Sequence, residues 1–263
     1  MRQIVSIVIV GTLALAARAA AAQELETETA RVGEPGLVAG GIGFEYQTSS
    51  EGSESALPIF IEAVPVERLE LVVEPVPYAD VKPKTGASAS GPGDLEVTLI
   101  GLVLHEAGWM PALALAGEVK IPVASNDLIG TGEYDFTGYL ILSRRFGQLD
   151  VHFNAGYALL GAPPGVQVSN IFSFALAARY FVGAKLDLHA EVFADTESSG
   201  ENEGAGTGTG MGASGELAGG ELFATVGAGY KLEPWLLLSL GFTYDNNNAF
   251  MVHPGAQFKF DLF

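Results

Sequence analysis

Residues 132–161 read GEYDFTGYLILSRRFGQLDVHFNAGYALLG. From Leu149 to Leu159 every odd position is apolar or aromatic: Leu149, Val151, Phe153, Ala155, Tyr157 and Leu159. The even positions between them are Asp150, His152, Asn154, Gly156 and Ala158. A period of two is that of a strand with one apolar face and one polar or small face. The run from Tyr134 to Leu142 sets Tyr134, Phe136, Leu140 and Leu142 against Glu133, Asp135, Thr137, Tyr139 and Ser143. Arg145-Phe146-Gly147-Gln148 between the two runs is short enough for a hairpin turn. One such hairpin suits a soluble sandwich equally well, so its recurrence decides the fold.

The pattern recurs along the chain. Residues 37–47, 57–64, 69–76, 94–105 and 110–121 precede the central hairpin as candidate strands. Residues 168–181, 184–193, 221–231, 235–245 and 255–263 follow it, which makes twelve in all. Pro75 and Pro77 weaken the third, because a closed sheet has no free edge on which to hide a missing N–H. Residues 49–56 and 78–93 read as polar loops, and 195–220 as a long Gly- and Glu-rich loop. Short turns alternate with longer loops, the rhythm of outer-membrane barrels, which pair an even strand number with short periplasmic turns. Trp109, Phe146, Tyr180, Tyr230 and Trp235 lie beside the short turns, while Tyr46, Tyr134, Tyr157 and Tyr244 lie towards the long loops. Two aromatic belts are what two bilayer interfaces select. The fold expected is an all-β transmembrane antiparallel barrel of about 12 strands, with the 195–220 loop outside the cell.

Met1 to Ala22 has Arg2, an apolar run from Ile4 to Ala17 and Ala20-Ala21-Ala22 before Gln23, the features of a cleaved signal peptide. The apolar run is shorter than the roughly 20 residues a spanning helix needs. The organisation expected is therefore a signal peptide at 1–22, a flexible, acidic lead-in at 23–35 and a barrel at 36–263. The whole chain carries a formal charge of −18 and no cysteine, so neither disulfides nor thiolate metal sites contribute to it. That charge excludes nucleic acid as a partner, since nucleic-acid binding rests on neutralising phosphates.

Gly93-Asp94, Lys120-Ile121-Pro122, Gly130-Thr131-Gly132 with Asp135, and Asn154-Ala155-Gly156-Tyr157 resemble the motifs of one group of Gram-negative outer-membrane barrels. This is the phenol-degradation MetA-pathway family, whose members are often labelled transporters. The likeness departs after Pro122, where Val123-Ala124 stand in place of the family's Thr-Gly. The resemblance implies an outer-membrane barrel that passes small hydrophobic or aromatic solutes.

Period alone points a polar set inward: Glu118, Lys120, Asp135, Arg145, Asp150, His152, Asn154, Arg179, Lys185, Asp187, His189 and Glu191. Glu70, Glu74 and Glu96 belong with them. Two uses are open. The set lines a solute path, or it forms ion pairs that fill a narrow barrel and leave a structural or surface protein. Asp150 with His152 and Asp187 with His189 also admit a barrel hydrolase, although neither pair comes with a placed nucleophile. No cofactor, metal or catalytic residue is expected. The partners expected are outer-membrane lipid, small solutes and the barrel-assembly machinery, the last through the C-terminal strand. That strand ends in Phe263, but its apolar phase runs Ala256, Phe258, Phe260, Leu262, one residue out of step. The excess of carboxylates over bases predicts a cation-preferring lumen.

Overall fold

The computed structural model describes residues 27–165, 167–196 and 220–261. The expected signal peptide at 1–22, nearly all of the 195–220 loop and Phe263 lie outside the described residues. The chain order is β1 (Leu37–Gly43), β2 (Glu45–Thr48), β3 (Gly52–Ala56), β4 (Ile59–Val66), β5 (Leu69–Pro75), β6 (Ala79–Pro83), β7 (Ala89–Gly91) and β8 (Leu95–Leu104). It continues with β9 (Ala112–Ile121), β10 (Asp135–Phe146), β11 (Leu149–Leu159), β12 (Ile171–Val182), β13 (Leu186–Asp195), β14 (Leu222–Glu233), β15 (Leu236–Asp245) and β16 (Phe250–Asp261). Twelve of these, β1, β4, β5 and β8 to β16, pair antiparallel in that order, and β1 closes on β16 from Leu37↔Asp261 to Gly43↔Gly255. Closure removes every edge, as a sheet in lipid requires.

The central hairpin sets the geometry. β10 and β11 pair from Phe136↔Leu159 to Phe146↔Leu149, so the turn is Gly147-Gln148 alone. Gly147 has φ 63°, a left-handed conformation that costs other residues about 1–2 kcal/mol. On β11, Asp150, His152, Asn154, Gly156 and Ala158 are buried, whereas Tyr157 and Leu159 are exposed. The even face therefore looks into the barrel and the odd face outward to lipid. All nine belt aromatics named above are exposed on the outer surface.

The two loops expected at 49–56 and 78–93 are corrected by β3, β6 and β7. The first four strands bend at one level and continue beyond the barrel as β2, β3, β6 and β7, with β2 pairing the start of β16. The breaks fall at Phe44, Leu57-Pro58, Val76-Pro77-Tyr78 and Pro92-Gly93-Asp94. Three of the four contain proline, which cannot donate to the ladder. Bonds across the bend keep the wall continuous: Gly43 N to Pro58 O, Leu57 N to Tyr78 O and Gly93 N to Val76 O, each 2.9 Å. Polarity inverts beyond the bend. Ser53, Ser55, Asp80 and Ser90 face out, while Ala56, Ala79 and Ala89 face in and pack with Val76 on Ile129. The outward face of β3, β6 and β7 is polar, so their sequence loses the alternation of a lipid-facing strand.

Candidate functional site: an occupied lumen

The lead-in expected to be flexible is held inside the barrel from Thr27 onward. Glu28 N donates to Asn154 Oδ1 at 2.6 Å, and Asn154 Nδ2 returns a bond to Glu28 O at 2.9 Å. Ala30 N donates to Ser143 Oγ at 2.8 Å, and Gly33 N donates to Glu70 at 3.4 Å. Thr27 Oγ1 donates to Glu191. Arg31 is gripped by Asp150 at 2.8 Å and by Glu106 of the β8–β9 turn at 2.6 Å. The opposite side of the segment is apolar. Ala30 and Val32 pack with Leu37, Val64, Val72, Ile100, Leu102, Ala112, Ala114 and Ile141. The plug thus lies between polar groups on β10, β11 and β13 and an apolar patch on β1, β4, β5 and β8 to β10, beside which Glu62, Glu70 and Lys120 also face in. No part of residues 27–35 pairs as a strand, so the segment is a plug held by side chains and not a piece of the wall.

The predicted polar set divides into groups with different tasks. At the long-loop end Lys120 meets Asp135 at 2.6 Å, Asp94 at 3.9 Å and Thr131 at 3.3 Å. Asp94 Oδ1 accepts from the N–H groups of Val123 and Ala124, both at 2.9 Å. A Cβ on Gly130 would stand 2.6 Å from Asp94 Oδ2 and 2.7 Å from the Ala124 Cβ. Asp94, Lys120, Gly130, Thr131 and Asp135, all motif residues of the resemblance, therefore form one latch that fastens residues 122–134 to the rim. Glu118 accepts from Thr98 at 3.2 Å and from Tyr139 at 3.3 Å. Asp150, His152, Asn154 and Glu191 hold the plug, His152 through a 2.8 Å bond to Ser143. Arg179 and Asp187 make a bidentate pair at 2.8 and 2.9 Å, with His189 Nδ1 3.7 Å from the same carboxylate.

Two members of the set are misplaced by period alone. Lys185 precedes β13 in the turn and lies exposed over the ring of Tyr230, 5.9 Å away, so it belongs to the rim and not the lumen. Arg145 sits at the same end, donating to Gly147 O and stacking over Phe181 at 4.5 Å. The pairing of Asp150 with His152 also gains what the sequence lacked, a hydroxyl at bonding distance in Ser143. Sequence reasoning missed Thr27 to Arg31, Glu62, Glu106 and the inward bases Lys231 and Lys259. The plug has no period because its partners are spread over several strands, so no local signal could reveal it.

Room for the polar pairs comes from inward glycines. A Cβ on Gly227 would stand 2.1 Å from His189 Nε2 and 2.7 Å from Leu240 O, and one on Gly229 would stand 2.8 Å from Asp187. Gly227→Ala should lower barrel stability by about 1–3 kcal/mol, the usual cost of overpacking. Urea titration of the heat-modifiable gel shift measures it, and unchanged stability would show that His189 can swing away freely.

A closed sheet that is apolar outside, polar or plugged inside and belted by aromatics at both rims is an outer-membrane β-barrel. The chain belongs to the family described as "Putative MetA-pathway of phenol degradation", whose model matches residues 63–261. In fold it is similar to the COG4313 outer membrane channel from Pseudomonas putida F1, with TM-score 0.66 and 13% identity over 90% of this chain and 100% of that one. It is also similar to the NanC porin (TM-score 0.58, 9% identity, 83% and 98% covered) and the KdgM porin (TM-score 0.51, 8% identity, 84% and 99% covered). No curated protein matches the chain.

Proposed function

We propose that the protein is an outer-membrane channel for small solutes whose lumen is closed at rest by residues 27–35. The observation that carries the reading is the plug itself. It lies across the lumen without joining the sheet, so it can leave without breaking the wall, and no cysteine tethers it. The polar groups it would leave behind are hydratable, which keeps an open state within reach. That the similarly folded protein from Pseudomonas putida F1 is an outer membrane channel supports the reading. The apolar patch of wall beside the plug and the family's description favour hydrophobic or aromatic solutes. β16, paired on both edges in the finished barrel, is the segment we assign to contact with the assembly machinery during insertion.

The inward carboxylates, Glu62 now among them, outnumber the inward bases even after Lys231 and Lys259 are counted. A low-dielectric wall with that balance concentrates cations. Planar bilayers in a KCl gradient should give reversal potentials of cation preference. The preference should weaken towards 1 M salt, where the Debye length falls to about 3 Å. Anion selectivity would reject the charge argument, and a chain silent even without its plug would reject the channel.

The anchor at the mouth should respond to acid. Burial alone would raise the Glu106 carboxyl, but Arg31, the Arg145 N–H and Arg144 outweigh it and hold it below the usual carboxylate range. A depressed carboxylate contributes its hold above its free value, near 4.3, and loses it as pH falls through the lower bound value. Channel openings should therefore become more frequent only below about pH 4, and a Glu106→Gln chain should lose that rise.

A second reading is favoured by one contact, Ser143 Oγ to His152 Nδ1 at 2.8 Å with Asp150 adjacent. As a hydrolase it is poorly placed. His152 Nε2 is 4.0 Å from Asp150, whose carboxylate is bound by Arg31, and Ser143 already accepts from Ala30 N. Covalent labelling of Ser143 by a fluorophosphonate would support the hydrolase.

A further inference from the structure

A cavity of about 220 Å³ lies at the short-turn end, between the plug and the wall. Residues 30–35 form one side of it. The β4–β5 turn supplies Glu67 and Arg68, the β8–β9 turn supplies His105 and Glu106, and Leu102 and Ala112 stand behind them. The floor is apolar and shielded from solvent, since Ala30, Val32, Leu102 and Ala112 are all buried. The mouth is charged and open, because Glu34, Glu67, Arg68 and His105 are exposed.

The charges beside this cavity fall into two groups. Arg31 and Glu106, both partly buried, are spent on each other and on Asp150, Arg144 and the Arg145 N–H. Those at the mouth are not spent. Arg68 and Glu67 meet at only 3.9 Å and both are exposed, so their attraction is weak. The side chains of Glu34 and His105 take no hydrogen bond or ion pair among the described residues. Arg68 also holds φ at 68°, a left-handed conformation that favours glycine, and Gly147 and Gly183 take it at two other short turns. Its carbonyl accepts from Leu102 N at 2.8 Å, which fastens the turn to β8 beside the cavity. An unfavourable backbone kept under a charged side chain points to a use for that side chain.

An apolar floor under opposite charges suits a molecule that carries both charges on a short apolar body. A carboxylate finds the Arg68 guanidinium and an N–H of His105, while an ammonium group finds Glu34 and Glu67. A simple anion would face the two carboxylates, and a simple cation would face the guanidinium. The volume falls below the roughly 300 Å³ at which pockets for drug-sized ligands begin, which limits the occupant to the size of one amino acid. We propose that the cavity binds a small zwitterion of amino-acid type, and that the bound molecule keeps the plug seated. Residues 30–35 are one side of the site, so it exists only while the plug is in place, and binding favours the closed barrel by mass action. This second half rests on the reading of residues 27–35 as the closing plug.

The test titrates the full mature chain in detergent calorimetrically with leucine and, separately, with isocaproate and isoamylamine, which keep its apolar body and one charge each. Leucine should bind at least tenfold more tightly than either. Arg68→Gly suits the positive φ of the turn, so the barrel should fold, as heat-modifiable migration confirms. It should weaken leucine at least fivefold and bring it to the level of isoamylamine. A chain without residues 27–32 should lose leucine binding. No leucine binding, equal affinity for either analogue, or parent-like binding by Arg68→Gly or by the shortened chain overturns the site. Planar bilayers separate the two ideas. Leucine on the short-turn side should lower the open probability of the parent at least twofold. A shortened chain that stays silent sinks the channel, while leucine binding to the parent still supports the site. A shortened chain that conducts, beside a parent that binds leucine with unchanged openings, overturns the hold on the plug.

Discussion

Phe153→Arg should prevent or badly weaken folding into lipid vesicles. Phe153 lies near the middle of β11 on the outward face and pairs with Leu142 and Leu176, both outward too. Arginine there meets hydrocarbon with no inward partner, at a cost of roughly 2–4 kcal/mol near the bilayer midplane. The same change at Leu238 should be milder. Leu238 pairs with Tyr230 of the short-turn belt, close to an interface where the penalty falls to about 0–1 kcal/mol. One residue further along β11, Asn154→Asp should leave the fold intact because it faces the lumen. Urea titration of vesicle-folded protein, followed by gel shift, ranks the three. If Phe153→Arg folds as well as the parent, the outward face is not in lipid.

Arg31→Ala should convert a mostly closed barrel into one that opens often. Arg31 joins the plug to Asp150 on the wall and to Glu106 on a turn, and no other basic side chain lies in residues 27–35. Hydrogen bonds to charged groups contribute about 1.5–3 kcal/mol each. Losing both bonds should shift the closed-to-open ratio by roughly a hundredfold or more, since each ~1.4 kcal/mol is a factor of ten. Removing residues 27–32 should leave the lumen open throughout. Arg179→Ala is the contrast. It breaks a pair wholly within the wall, so it should lower barrel stability while leaving the plug seated. Open probability in planar bilayers reads the first effect and urea titration the second. A plugless chain that conducts no better than the parent would show that something else closes the pore.

The physical origin of each feature decides how far it was legible in the sequence. The β10–β11 hairpin could be read residue by residue because every side chain there answers to one of two solvents, and the pleat alternates them. The lipid face, the aromatic belts, the strand number and the inward direction of Asp150, His152 and Asn154 all follow from that local rule. The rule fails wherever that alternation is lost. Beyond the bend, β3, β6 and β7 present a polar outward face, so Ser53, Ser55 and Asp80 look like loop. Lys185 has the parity of a lumen residue but lies one position outside its strand, where parity no longer binds a side chain. The plug shows the limit most clearly. Thr27 to Val32 have no period, no cap and no turn, because their partners are Glu191, Asn154, Ser143, Asp150 and Glu106, spread over three strands and a turn. By itself the sequence determined a closed barrel with a polar, acidic interior, because alternation against lipid is a local property. Only the tertiary structure decided that the interior is filled by the chain's own residues 27–35, because that contact exists only after the sheet has closed around it.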